Sequence, residues 1–177
     1  MRVVAGELRG RRLASPPRRS AVVRPTSDRV REAIFSILAD VEGASVLDLF
    51  CGTGALAIEA LSRGAATATL VDSDPSLARR NVGDLGLDDR CRVVRADVFD
   101  HLRRARERFD LVFCDPPYKL ADRLEGELAK LIPKALAEGG RVIAESAARR
   151  PLDLGLPVVA EHRYGDTLVR VHRGVRR

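Results

Sequence analysis

Val46-Leu47-Asp48-Leu49-Phe50-Cys51-Gly52-Thr53-Gly54 runs directly into Ala55-Leu56-Ala57-Ile58-Glu59-Ala60-Leu61. The apolar run reads as a buried strand, the two glycines as a tight turn, and the alanine- and leucine-rich run as a helix. Glycines at such a turn let the chain double back and bring its backbone close to a ligand. Gly52-Thr53-Gly54-Ala55-Leu56-Ala57 also fits a G-x-G-x-x-A dinucleotide pattern, with Asp72 following at about the spacing of a ribose-binding acid. Asp48 separates the two readings. A carboxylate at the end of this strand faces a pyrophosphate unfavourably. It suits a cationic ligand such as S-adenosylmethionine, whose amino-acid part carries an ammonium beside a sulfonium.

Strand and helix patterns alternate outward from this unit. Strands are expected at 45–50, 68–72, 91–95, 110–115 and 140–145, and helices at about 54–63, 75–85 and 120–137. Leu124, Leu128, Leu131 and Ile132 make the core stripe of the last helix, which Pro133 should kink or split. Residues 157–161 and 167–172 read as a closing strand pair around Gly165-Asp166. The expectation is an α/β fold: a mostly parallel, seven-stranded Rossmann-like sheet covered on both faces, ending in an antiparallel hairpin. Ahead of it, residues 2–13 read as two short strands around Gly6–Gly10, and 14–25 as a proline-bearing loop. A helix follows, starting at Ser27 or Asp28, with Val30, Ala33, Ile34, Ile37 and Leu38 on its apolar face and Arg24, Arg29, Arg31 and Glu32 off it. This divides the chain into a basic extension (1–40) and a catalytic domain (41–177), with no internal repeat.

Two more acids are placed like Asp48. Asp72, with Ser73 beside it, ends the second strand and can take both ribose hydroxyls; Asp97, followed by Val98, ends the third and can accept from an adenine amine. Three carboxylates at successive strand ends line one crevice, where open α/β sheets bind ligands. The competing role for Asp72, Asp74 and Asp97 is helix capping, which is expected of Asp74 ahead of Pro75. Asp115-Pro116-Pro117-Tyr118 closes the fourth strand. The prolines fix the backbone, so that the Asp115 side chain and the Pro116 carbonyl can both accept from one –NH2 group, while Tyr118 offers a stacking plate for a base. Methylation of an exocyclic nucleobase amine needs those three things together. The competing reading is a Pro-Pro turn with Asp115 capping the next helix.

Composition narrows the partner. The chain has 177 residues, 45% hydrophobic and 32% charged, as in a soluble globular protein. No apolar run reaches the roughly 18–20 residues of a membrane helix, and Met1–Gly6 lacks a signal-peptide core, so a cytoplasmic monomer is expected. Cys51, Cys91 and Cys114 sit in or beside apolar runs and read as reduced, buried thiols. With His101, His162 and His172 scattered, no metal site is expected. The net charge of +6 is uneven. Residues 1–31 hold nine arginines and two acids, against 22 basic and 23 acidic residues in the remainder. A basic segment on a near-neutral body points to a polyanion, with Arg11, Arg12, Arg18 and Arg19 as phosphate contacts. The competing reading is a solvated basic tail.

The Asp48–Gly54 loop, Asp115–Tyr118, Arg2-Val3-Val4-Ala5-Gly6 with Gly10-Arg11-Arg12-Leu13, and Arg24-Pro25-Thr26-Ser27-Asp28-Arg29-Val30-Arg31-Glu32 together resemble the RsmD-type bacterial 16S rRNA guanine-N2 methyltransferases. Tyr164-Gly165-Asp166-Thr167 extends the likeness to nearly the whole chain. The resemblance implies a class I methyltransferase fold that uses S-adenosylmethionine to modify one guanine of 16S rRNA in the 30S subunit or its assembly intermediate. It implies cofactor contacts at Asp48, Phe50, Cys51, Gly52, Thr53, Gly54, Asp72, Ser73, Asp97 and Val98, and a catalytic motif at Asp115, Pro116, Pro117 and Tyr118. It also implies a segment closing over the target base, with Arg24, Thr26 and Arg29 nearest. The alternatives are a DNA adenine-N6 or cytosine-N4 methyltransferase, for whose target-recognition region the chain has no room, an inactive RNA-binding assembly factor, and a nucleotide-dependent oxidoreductase.

Overall fold

The apolar runs become the strands of one sheet because their neighbours alternate between two hydrophobic layers. The computed structural model describes residues 1–16, 28–117 and 121–175. In chain order the elements are α1 (Asp28–Leu38), β1 (Ser45–Leu49), α2 (Ala55–Ser62), β2 (Thr67–Asp72), α3 (Ser76–Leu85), β3 (Cys91–Arg95), α4 (Val98–Arg104), β4 (Phe109–Cys114), α5 (Ala121–Ala135), β5 (Leu136–Ala147), β6 (Val158–Tyr164) and β7 (Thr167–Arg173). The strands form one seven-stranded sheet in the order β3-β2-β1-β4-β5-β7-β6. β1 to β5 run parallel, and β7 is antiparallel to both β5 and β6.

Val46, Leu70, Leu111 and Phe113 face one layer, with α1, α2 and α3; Leu47, Leu49, Val112 and Cys114 face the other, with α4 and α5. Odd and even residues of one strand thus enter opposite cores. α2 is wholly buried, as expected of a helix between the sheet and a further layer. Gly54 starts it at φ +75, and a Cβ there would lie 2.6 Å from a Leu70 methyl, so only glycine fits this turn.

Several expectations need correction. Residues 2–13 form no strands: a single antiparallel bridge joins Arg2 and Arg12 within a hairpin-like turn. α5 runs through Pro133 but stops two residues later, at Ala135, so the proline sits where the helix is already ending. β5 begins at Leu136, earlier than expected, with a register shift against β4 near Gly139. α4 is an additional helix that the sequence pattern does not announce. In α1 the buried residues include Phe35 and Arg31. Phe35 packs against Phe113 with ring centroids 5.9 Å apart, so the apolar stripe is wider than expected and holds a charge. Leu128 and Ile132 are buried and Leu124 and Leu131 half-buried, as the stripe of α5 requires.

The amino-terminal arm, residues 1–16, is bolted to the sheet-covering helices. Val3 and Leu13 enter the core with α1 and α2. The buried Glu59 carboxylate accepts from Val4 N (2.8 Å) and Ala5 N (2.9 Å). Ser62 Oγ donates to Ala5 O (2.6 Å) and accepts from Leu8 N (3.0 Å). Gly6, at φ +82, lies so close to Ser62 O that any Cβ would overlap it.

Candidate active site

The strand order reverses between β1 and β4, and in open α/β sheets the carboxyl ends of the strands at such a point are where ligands bind. Leu49 pairs with Val71 on one side and with Cys114 on the other. Phe50, Asp72 and Asp115 are therefore the next residues along at one level. Asp72 pairs with Arg95, which puts Asp97 two residues farther out along β3.

Asp48 points into the layer under α2. It is 3% exposed and, among the described residues, accepts one hydrogen bond, from Ala57 N at 3.2 Å. Burial pushes its pKa up to about 7, with the Ala57 N–H opposing and the Asp72 charge adding to the rise. A buried carboxylate this sparsely bonded among the described residues loses solvation with little return from its neighbours. The loop after it turns at Phe50, a non-glycine residue at φ 60, and at Gly52, φ +52. Gly52 has open space where a Cβ would stand, and its N–H donates to Asp72 Oδ2 at 2.9 Å. Asp72 Oδ1 accepts from Asp74 N at 2.9 Å and lies 3.4 Å from Ser73 Oγ. Asp72 thus braces the glycine turn while staying half-exposed.

The capping alternatives divide. Asp97 does cap α4, its Oδ1 accepting from Phe99 N (2.9 Å) and Asp100 N (3.1 Å). Val98, the first residue of α4, is buried. Asp74 does not cap α3: the N-cap is Pro75, with no side-chain hydrogen bond, so Asp74 stands one residue ahead of the capping position, its own N–H donating to Asp72. Asp115 is half-buried, Pro116 buried and Pro117 exposed. Tyr118 lies outside the described residues. Burial pushes the thiols of Cys51 and Cys114 far up, and that of Cys91 up to about 12. All three are free, though Cys91 is only half-buried. None is a thiolate nucleophile near neutral pH. Among the described residues no three His, Cys, Asp or Glu side chains gather into a metal-sized group, and no helix is long and apolar enough to cross a membrane. A separate cavity of about 220 Å³, lined by Arg108, Leu136 and Gly174 among others, opens at the amino ends of the strands, away from these acids.

Of the expected nucleic-acid contacts, Arg11 and Arg12 are exposed on the arm and Arg29 on α1. Arg18, Arg19, Arg24 and Thr26 lie outside the described residues. Arg31 is a correction to the charge reading. It is fully buried, with Nη2 donating to Arg2 O (2.5 Å) and Asp28 Oδ1 (2.9 Å) and Nε 3.8 Å from Glu59. One of the nine amino-terminal arginines is thus committed to the core. The residues missed by sequence reading are Glu59, Ser62 and Asn81, buried polar groups that hold the arm. Glu59 carried a signal: it is the one charged residue in the otherwise apolar run 55–61, and such a charge must find partners.

A family model described as "Conserved hypothetical protein 95" matches residues 1–173. The chain belongs to this family. The putative rRNA methyltransferase YlbH of Bacillus subtilis is 35% identical over 184 residues, covering 98% of each chain. Ribosomal RNA small subunit methyltransferase D of Escherichia coli K12 is 40% identical over 122 residues, 67% of this chain and 61% of that protein, so the match spans about three fifths of that relative's length. The solved structure of the putative methyltransferase yhhF from Escherichia coli superimposes with a TM-score of 0.82 at 31% identity, covering 100% of this chain and 99% of that one. The RsmD-type resemblance and the mostly parallel methyltransferase-like fold are both borne out, and the family match spans the arm as well as the sheet.

Proposed function

We propose that this protein transfers the methyl group of S-adenosylmethionine to the exocyclic N2 amine of a guanine in 16S rRNA, within the 30S subunit or an assembly intermediate. The carrying observation is the alignment of Asp115-Pro116-Pro117 with the Asp48–Gly54 loop and Asp72 at one level of three adjacent strands. The likeness to two rRNA methyltransferases supports the substrate class. The exposed arginines of the arm support a phosphate-rich partner.

The residues present fit the methyl donor. Asp48 would meet its ammonium, regaining as an ion pair what burial costs the carboxylate. Gly52 leaves room for close approach, Asp72 would hold the ribose, and the outer face of Asp97 would meet the adenine. The bound donor supplies an electrophilic methyl on sulfur. Asp115 and the Pro116 carbonyl would accept hydrogen bonds from the guanine amine and aim its lone pair at that methyl, with Tyr118 stacked on the flipped base. The methyl group would pass from that sulfur to the amine nitrogen, with S-adenosylhomocysteine as the leaving group. The extra amine proton passes to Asp115 or to water.

The test is incubation with methyl-labelled S-adenosylmethionine and, in parallel, unmethylated 30S subunits, naked 16S rRNA and DNA. Label in 30S subunits or 16S rRNA, mapped to guanine N2, is expected. Label in DNA would overturn the substrate. Label nowhere, with RNA still bound, would leave an inactive assembly factor. Asp115→Ala should lose methyl transfer while cofactor binding measured by calorimetry stays near wild type.

A further inference from the structure

Asn81 lies on α3, outside every motif described above, and is 1% exposed. Its Oδ1 accepts from Ala14 N at 2.7 Å, and its Nδ2 donates to Ala14 O at 3.2 Å and to Thr53 O at 2.9 Å. The first two bonds hold the arm just ahead of Pro16 and the arginine-rich stretch. The third ends on the peptide between Gly52 and Gly54. That loop is tied in turn to Asp72 through Gly52 N and to Cys51 O through Gly54 N (2.7 Å). We infer that Asn81 is a positioning residue that couples the amino-terminal arm to the cofactor loop, so that rRNA held by the arm and methyl donor held by the loop bind cooperatively.

This coupling rests on the function proposed above and on the geometry of one side chain. A carboxamide has one plane, and here its acceptor and both donors are in use. A shift of Ala14 turns that plane and misdirects the N–H at Thr53, where hydrogen bonds weaken steeply as the angle closes. Among the described residues the arm's other ties run to Glu59 and Ser62 on α2, to Arg31 on α1, to Arg90 through Glu7 and to the Asp84 carbonyl through Arg11, and none of them is a bond to the loop. A purely structural anchor would need only the two bonds to Ala14. Because Gly54 caps α2 and Thr53 precedes it, any motion passed through Asn81 arrives at the turn that must accommodate the ligand. Reciprocity follows from linkage: a loop closed on its ligand fixes the arm as much as a docked arm fixes the loop.

The experiment is equilibrium dialysis of labelled S-adenosylhomocysteine, with and without saturating unmethylated 30S subunits. For the wild type, 30S should tighten binding about 5-fold or more, the usual lower range of site-to-site coupling. Asn81→Asp keeps the acceptor for Ala14 N and loses both donors. Ala14→Pro removes the arm's N–H and leaves Asn81 in place. In both, the factor should fall to near one. Ser62→Ala, which loosens the arm on α2 only, should weaken 30S binding and keep the factor. Loss of the factor in Ser62→Ala to the same degree, or its retention in both bridge variants, would overturn the role of Asn81. A wild-type factor near one with both ligands bound overturns coupling itself. Failure of 30S to bind at all would instead refute the rRNA reading.

Discussion

Two buried carboxylates on either side of one helix have opposite surroundings. Glu59, on α2, is 1% exposed and is met by two backbone N–H groups, by Arg63 Nε at 2.8 Å and by the buried Arg31. Asp48, under the first turn of the same helix, is 3% exposed and accepts a single N–H at 3.2 Å. Burial alone therefore does not define a site. Glu59 carries cations supplied by its own chain and holds the arm, α1 and α2 together. Among the described residues Asp48 meets no cation, and that is what a positively charged ligand could supply. The one is a fastening, the other the proposed receptor, and the difference lies in their partners.

The largest effect should come from breaking the fastening. Among the described residues, Glu59→Gln leaves the buried Arg31 guanidinium with only the exposed Asp28 as a counter-charge. Removing one partner of a buried ion pair costs about 3–5 kcal/mol, read as the drop in urea-unfolding free energy. A loss under about 1 kcal/mol would mean that Arg31 and Glu59 are not the joint they look to be. Arg63, stacked over Phe35 at 4.7 Å, can still cover part of the helix surface, so the fold should survive with a loosened arm.

The receptor should answer in the opposite way. Asp48→Asn should leave stability near neutral pH unchanged or higher, because it removes a buried charge. It should cost about 2–3 kcal/mol in methyl-donor affinity, on the order of a hundredfold. The pH dependence has a definite sign. The folded-state pKa is raised from 3.8 to about 7, so this group favours the unliganded fold most below the lower value. That contribution is lost as pH rises through about 7. Donor binding needs the ionised form, so affinity should weaken as pH falls below about 7 and level off above it. Titration calorimetry from pH 5 to 8 measures this, with proton release on binding below pH 7. A flat profile in the wild type, or the same slope in Asp48→Asn, would show that Asp48 does not face the cation.

The contrast between the two acids also explains what could be read from sequence. Asp48, Asp72 and Asp115 were legible because a strand end is a local event: an apolar run, then a carboxylate, then glycine or proline. The alternation of the core strands was legible for the same reason. The arm's fastening was not, since Val4 with Glu59 and Ala14 with Asn81 are separated by 55 and 67 residues, and no local pattern records which distant N–H a side chain will meet. Arg31 looked like a surface charge because it falls beside the apolar stripe of α1. Its burial depends on Glu59 being opposite. Asp74 failed as a cap because α3 begins at Ser76, which puts Pro75 and not Asp74 at the capping position.

The smallest effect tests whether the arm's charge divides as the structure divides it. Arg11 and Arg12 are exposed, with Arg11 Nη2 reaching only the Asp84 carbonyl at 3.2 Å, whereas Arg31 is sealed in the core. Reversing Arg11 or Arg12 to glutamate should weaken 16S rRNA binding modestly and lower the slope of log affinity against log salt by about 1 for each phosphate no longer neutralised. The unfolding free energy should stay within about 0.5 kcal/mol of wild type, as for other surface substitutions. Arg31→Gln should do the reverse, lowering stability with the salt slope unchanged in the folded fraction. Filter binding across a salt series, paired with urea unfolding of each variant, separates the two. An unaltered slope for Arg11→Glu and Arg12→Glu together would make the exposed arginines of the arm a solvated surface. The polyanion-binding surface would then have to be sought on the exposed Arg29 face of α1.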